Sequence, residues 1–83
     1  MVKNDNVTVL FFSFAADRMS TREKVYELST PVSIQEFFQQ YLSSGLKEPL
    51  ESWLFSVNEQ WVDPQYNLHP GDALAVVPPV SGG

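Results

Sequence analysis

The residues with the clearest chemical potential are two consecutive glycines at the end of the chain, Gly82 and Gly83. Neither has a β-carbon, so this segment is thin enough to enter a channel that would exclude any side chain. It would then present the Gly83 carboxylate at the far end of that channel. The pattern therefore predicts a terminal carboxylate that other enzymes activate and modify.

The rest of the chain lacks the arrays of residues that catalysis or metal binding would need. The sequence contains no cysteine, which excludes disulfides, thiolate metal sites and a cysteine nucleophile. Its one histidine, His69, stands in a predicted turn without a second ligand. The glutamates are scattered, and no glycine-rich phosphate loop occurs. We expect a protein that is not an enzyme on its own and that binds no metal and no cofactor stably.

The composition indicates one small folded domain over residues 1–83. The chain is 43% hydrophobic and 13% aromatic, which is typical of a folded domain. It has no apolar run of about 18 residues that could span a membrane, and residues 1–6 do not resemble a signal peptide, so we expect a cytoplasmic protein. The net charge of −5 argues against nucleic acid as a partner. It suits a basic protein partner, although solubility alone also accounts for it.

The first half of the sequence predicts a β-hairpin followed by a helix. Residues 7–14 and 24–28 are predicted strands, joined by a loop over residues 15–23. Residues 33–36, Ser-Ile-Gln-Glu, form a capping box in which the serine accepts from the N3 amide and the glutamate from the cap amide. An apolar stripe with helical spacing follows, and Gly45 is the predicted left-handed residue that ends the helix. The members of the stripe are Ile34, Phe37, Phe38, Tyr41 and Leu42.

The second half predicts a connection with a short helical turn over residues 46–52 and then two or three further strands. The predicted strands and the turns between them are residues 53–57, 58–59, 60–62, 69–72 and 73–77. This order predicts an α+β fold of the β-grasp type found in ubiquitin-like domains, with a mixed four- to five-stranded sheet on one main helix. Pro78 and Pro79 lack amide hydrogens, so they should end the sheet and direct the tail, residues 78–83, outward.

The first predicted strand is apolar on both faces, which one covering helix does not explain. The two sets of alternating side chains are Val7, Val9 and Phe11 on one face and Leu10, Phe12 and Phe14 on the other. The second set either lies under loops or forms a patch for a partner. We favour the patch, because Trp61 on the fourth strand and Val77 beside the tail would extend it.

Three segments resemble a known family. They are Val-Leu-Phe-Phe at residues 9–12, Pro-Gly-Asp-Ala-Leu-Ala-Val-Val at residues 70–77 and Pro-Pro-Val-Ser-Gly-Gly at residues 78–83. With these motifs the whole chain resembles the MoaD-like family, the small, sulfur-carrying subunits of molybdopterin synthase. Residues 15–18, Ala-Ala-Asp-Arg, depart from the Arg-Glu pair that the family often has there.

The resemblance implies a role for each residue of the tail. An activating enzyme would adenylate Gly83 with ATP, and sulfur from a persulfide protein would replace AMP to give a thiocarboxylate. Val80, Ser81 and Gly82 would enter a pocket of a large catalytic subunit, where the sulfur passes to a pterin precursor in molybdenum cofactor biosynthesis. The two subunits would form a heterotetramer. The residues at positions that match the family's docking face are Phe12, Trp61 and Val77.

Three other functions remain open from the sequence. The chain could be a sulfur carrier for thiamine or for tRNA thiolation, although the Pro-Pro-Val segment before the glycines favours molybdopterin. It could be a ubiquitin-like modifier whose Gly83 forms isopeptide bonds with lysines. It could also be an interaction module whose tail has no chemical role. The intact mass of the protein from cells and the deletion of Gly83 would separate these classes.

Overall fold

The computed structural model describes residues 5–79, and the predictions for Val80, Ser81, Gly82 and Gly83 lie outside the described residues. Within residues 5–79, no helix is long and apolar enough to cross a membrane. The elements follow one another as β1 Asn6–Phe11, α1 Phe14–Met19, β2 Glu23–Glu27, β3 Val32–Ser33, α2 Ile34–Phe37, a π-helical turn Phe38–Leu42, α3 Ser43–Leu46, a 3-10 turn Leu50–Ser52, β4 Leu54–Val57, β5 Gln60–Val62, β6 Asn67–Leu68 and β7 Ala73–Val77.

Five of the strands form one mixed sheet in the order β2-β1-β7-β4-β5. β1 and β7 are parallel neighbours, whereas the β1–β2, β4–β7 and β4–β5 pairs are antiparallel. The parallel pair is possible because the intervening chain contains the crossover helix. This arrangement confirms the predicted β-grasp fold. A second, two-stranded ladder of β3 and β6, which the sequence did not predict, lies at the start of the helix.

We call the continuous helical segment made of α2, the π-helical turn and α3 the main helix. It packs on one face of the sheet, where alternate residues of β1, Val7, Val9 and Phe11, are buried. Phe38 of the main helix meets Phe55 of β4 edge to face, with 6.2 Å between the ring centroids. Burial of these aliphatic and aromatic side chains supplies the main stabilising free energy of a domain this small.

The main helix begins as the sequence predicted. The Ser33 side chain accepts a hydrogen bond from the Glu36 amide at 3.1 Å. The second half of the predicted capping box differs, because the Glu36 carboxylate accepts from the Ser33 hydroxyl at 3.3 Å and not from the cap amide. Four residues of the predicted apolar stripe are buried, and the fifth, Tyr41, is 40% exposed at the edge of the core.

The predicted end of the helix at Gly45 is wrong. Gly45 lies inside α3, and Lys47, with φ 67°, is the left-handed residue that ends the helix. The glycine serves close packing instead. A β-carbon at Gly45 would lie 2.6 Å from the Met19 sulfur of α1, so the missing side chain allows the two helices to approach.

The structure also contradicts the predicted loop over residues 15–23. β1 ends at Phe11, Ser13 turns the chain with φ 55°, and residues Phe14–Met19 form helix α1. At six residues this helix is too short to show an apolar period or to be stable alone. It therefore depends on contacts that are distant in the sequence.

Arg18 supplies two of those contacts between α1 and the rest of the domain. Its guanidinium donates to the carbonyl of Leu46 at the end of the main helix and pairs with the Glu48 carboxylate at 3.3 Å. A cation at a helix C-terminus also interacts favourably with the helix dipole. The same guanidinium lies 5.2 Å from the centre of the Phe14 ring.

The contact between Gly45 and Met19 leads to a stability prediction. Gly45→Ala should change the free energy of unfolding by less than about 1 kcal/mol, because the gain of about 1 kcal/mol in helix propensity opposes the displacement of Met19. In a Met19→Ala background, the same substitution should stabilise the protein by about 1 kcal/mol. Urea denaturation of the four proteins measures the coupling. Equal effects of Gly45→Ala in the two backgrounds would contradict the packing role.

Candidate functional site

The face of the five-stranded sheet opposite the main helix is not covered by any described element. Strand registers place its side chains in rows: Leu10 of β1 lies beside Ala75 of β7, Ala75 beside Ser56 of β4, and Ser56 beside Trp61 of β5. In the next row Val77 lies beside Leu54. We call this surface the outer face and define it by Leu10, Phe12, Leu54, Trp61, Ala75 and Val77.

Large apolar side chains on the outer face are exposed to solvent. Trp61 is 68% exposed, Phe12 48% and Leu54 45%, whereas Val77 is half-buried. Exposed large apolar side chains that share one face of a sheet are typical of a protein interaction surface. The three residues that the sequence assigned to a docking surface, Phe12, Trp61 and Val77, therefore share one face of the sheet.

Phe14 does not belong to this face. The sequence placed it with Leu10 and Phe12 on one strand, but the turn at Ser13 moves it into α1. Its ring packs against the buried Trp53 at 5.4 Å between centroids. It is 42% exposed at that position.

Leu54 was missed in the sequence although it is prominent in the structure. Its position could have been found from the alternation of residues 54–57, in which Phe55 and Val57 are buried and Leu54 and Ser56 point the other way. The sequence alone did not show that β4 pairs with β7. That pairing sets Leu54 directly beside Val77, two residues before the end of the described chain at Pro79.

The strand that leads to the tail occupies the centre of the sheet. β7 lies between β1 and β4, and the amide of Phe12 donates to the Val76 carbonyl at 3.1 Å. Pro78 is buried and Pro79 is exposed. Because β1 and β7 are parallel, the chain leaves the sheet at the same end as Phe12. Pro78 and Pro79, the last described residues, therefore follow directly after Val77 of the outer face.

Two turns hold the opposite end of the outer face in register. Asn58 and Glu59, with φ 51° and 72°, form the tight turn that sets Trp61 opposite Ser56. The Asn58 amide donates to Asp72 at 3.1 Å, and its oxygen accepts from the Ala73 amide at 3.0 Å. These bonds join the β4–β5 turn to the turn before β7.

The residues set aside in the sequence have structural contacts. Asp72 also accepts from the backbone amide of His69 at 2.8 Å, so its carboxylate organises the turn. Within residues 5–79 no group of three metal-ligating side chains comes together. Tyr26 lies on the side of the sheet that faces the main helix, where burial raises the pKa of its hydroxyl. The outer face therefore offers binding chemistry, and its described residues include no catalytic array.

Comparison with known proteins gives consistent similarities. The ThiS family profile matches residues 9–83. The molybdopterin synthase sulfur carrier subunit of Drosophila melanogaster is 30% identical over 82 residues, which cover 94% of this chain and 91% of the relative.

Solved structures show the same likeness. A chain in the protein–protein complex of subunits 1 and 2 of molybdopterin-converting factor from Helicobacter pylori is 25% identical, with a TM-score of 0.65 over 94% of this chain and 99% of that one. Urm1 from Trypanosoma brucei has a TM-score of 0.75 and 17% identity over the full length of both chains, which shows a shared fold.

Proposed function

Because this chain belongs to the ThiS family, we propose that it is the sulfur carrier subunit of molybdopterin synthase and that the Gly83 carboxylate carries the sulfur. The observation that supports this most strongly is the extent of the match. The family profile includes the tail through residue 83, and relatives that align over nearly the whole chain are named as this subunit.

The proposed chemistry occurs at the Gly83 carboxylate. A separate activating enzyme joins the carboxylate to AMP from ATP and releases pyrophosphate. The terminal sulfur of a persulfide protein then displaces AMP at the activated carbonyl and forms an acyl disulfide. A second thiol, from the sulfur donor or a thiol reductant, attacks the S–S bond, which releases the thiocarboxylate and leaves a disulfide. The glycines before this group have no β-carbon, so the tail can enter a narrow pocket in which the sulfur reaches the pterin precursor.

The folded domain holds this tail at the partner. The outer face docks on the large catalytic subunit, with Phe12, Leu54 and Trp61 as the apolar anchors. Val77 belongs to the same face and is the last residue of β7, so docking brings the tail to the partner without a long linker. The Helicobacter pylori complex of subunits 1 and 2 is the type of assembly that this proposal requires.

Mass spectrometry of the intact protein tests the proposal. After incubation with ATP, the activating enzyme of its own organism and a sulfur donor, the protein should gain about 16 Da, from the exchange of one oxygen for sulfur. The change should map to the C-terminal peptide and should require ATP. An unchanged mass, or a modification at another site, would contradict the proposed chemistry.

The next step distinguishes molybdopterin synthesis from the related sulfur pathways. The thiocarboxylated protein should transfer its sulfur to the pterin precursor in the presence of the large subunit. A carrier for thiamine or tRNA thiolation would keep its sulfur under these conditions. A protein modifier would instead form adducts with the mass of a whole target protein.

A further inference from the structure

We infer that the outer face selects a partner whose docking surface is apolar at its centre and rich in lysine or arginine at its edge. The inference depends on the proposed function for the identity of that partner, the large subunit of molybdopterin synthase. It adds the chemistry of recognition, which follows from the position of the acidic side chains around the apolar residues.

Two shallow grooves flank Leu10 and Phe12, which line both of them. The acidic residues Asp17 and Glu23 line the first groove, and Glu59 lines the second. Acidic side chains therefore border the apolar centre on both sides. In the described part of the chain, Arg22 is the one cationic residue that lines either groove.

These three carboxylates differ from others that stabilise the domain. Asp63 accepts from the Gln65 amide at 2.7 Å, and Glu48 pairs with Arg18. Within residues 5–79, the side chains of Asp17, Glu23 and Glu59 take part in no hydrogen bond and no salt bridge. They are exposed and their charges face the solvent. They are therefore available to an incoming partner at no cost to internal contacts.

The charge pattern distinguishes between possible occupants of the face. A second copy of this chain would place carboxylates near carboxylates, because the same acidic border would meet itself. A membrane surface or a nucleic acid is anionic and would be repelled in the same way. A protein with a cationic border around an apolar patch matches both features.

The two parts of the surface should act on different rate constants. Exposed charges at the edge of an interface contribute little to affinity, but they raise the rate of encounter with a complementary surface. Salt screens this attraction, with a screening length of about 8 Å at physiological ionic strength. The apolar centre, which must be desolvated and packed, controls dissociation.

Association kinetics of this chain with the large subunit of its own organism test the inference. The double variant Glu23→Gln/Glu59→Gln should lower the association rate constant about 3- to 10-fold at low ionic strength and leave the dissociation rate constant within about 2-fold. The difference should disappear at about 0.5 M salt. Asp5→Asn/Glu51→Gln is the matched control, because it changes the net charge equally at two exposed residues that line neither groove.

The outcomes separate this inference from the proposed function. If both double variants lower the association rate constant equally, the effect comes from net charge, and the proposed role of the acidic border is overturned. Binding of the wild-type protein without any dependence on salt would overturn it as well, while the proposed function would stand. If the wild-type protein does not bind the large subunit, the proposed function fails and the inference fails with it. Self-association of the chain through the outer face would also contradict the inference that this face selects a partner with a cationic edge.

Discussion

Removal of Gly83 is expected to lower sulfur transfer to the pterin precursor by at least about 1,000-fold, because the variant lacks the carbon that should bear the sulfur at the required reach. The domain should fold as before, since the core and the sheet lie within residues 5–79. Intact mass after incubation with ATP and the activating enzyme measures formation of the thiocarboxylate, and a coupled assay with the large subunit measures transfer.

The docking of the Gly83 deletion variant is the internal control for this experiment. It should bind the large subunit through the outer face with an affinity close to that of the wild-type protein. Sulfur transfer at a rate near that of the wild-type protein would contradict the role of Gly83. Loss of binding together with loss of transfer would place the tail, and not the outer face, at the centre of recognition.

Phe12→Asp should raise the Kd for the large subunit by at least about 100-fold. Aromatic anchors at interface centres contribute about 2–4 kcal/mol, and the variant would in addition bury an uncompensated carboxylate. The side chain is 48% exposed and follows the last residue of β1, so the domain should remain folded. Calorimetric titration measures the Kd, and circular dichroism verifies the fold.

Tyr41→Asp is the matched control for Phe12→Asp. Tyr41 is an aromatic residue with a similar exposure of 40%, but it lies on the main helix, behind the sheet. The control should bind the large subunit with an unchanged Kd, although it loses ring contacts to Tyr26 and Phe37. Adenylation of Phe12→Asp that proceeds while its binding fails would separate docking from activation. An unchanged Kd for Phe12→Asp would contradict the docking role of the outer face.

The sequence predicted those elements that are determined by residues close to one another in the chain. The strands near residues 24–28, 53–57, 60–62 and 73–77 have alternating or β-branched residues. Tight turns with positive φ at Asn58 and Gly71 precede the last two of them. The start of the main helix also depends on a side chain close in sequence to the amide that it caps. For such elements the residue types alone are sufficient to predict the secondary structure.

The errors came from contacts between distant residues. The end of the main helix is at Lys47, because Gly45 is used for packing against Met19 and stays helical. Helix α1 depends on contacts with distant residues, such as the hydrogen bond from Arg18 to the Leu46 carbonyl, 28 residues away. The two-residue strands β3 and β6 are too short for any periodic signal. In each case the determining partner lies in another element of the fold.

The outer face was predicted only in part, because some of its residues are placed by contacts between distant elements. The apolar residues on both sides of β1 indicated a surface that the helix could not cover, and the sequence assigned Phe12, Trp61 and Val77 to it. The contribution of Leu54 depends on the pairing of β4 with β7, which follows from the topology. The acidic border depends on the turn at Ser13, because this turn brings Asp17 of α1 beside the sheet.

The central position of β7 has a consequence for biosynthesis. β1 and β4 join through β7 alone, so the sheet cannot close until the residues just before the tail have left the ribosome. A prematurely terminated translation product that lacks β7 would also leave its hydrophobic interior open and would be a substrate for cellular proteases. Completion of the globule therefore coincides with synthesis of the segment that leads to Gly83, the residue proposed to carry the sulfur.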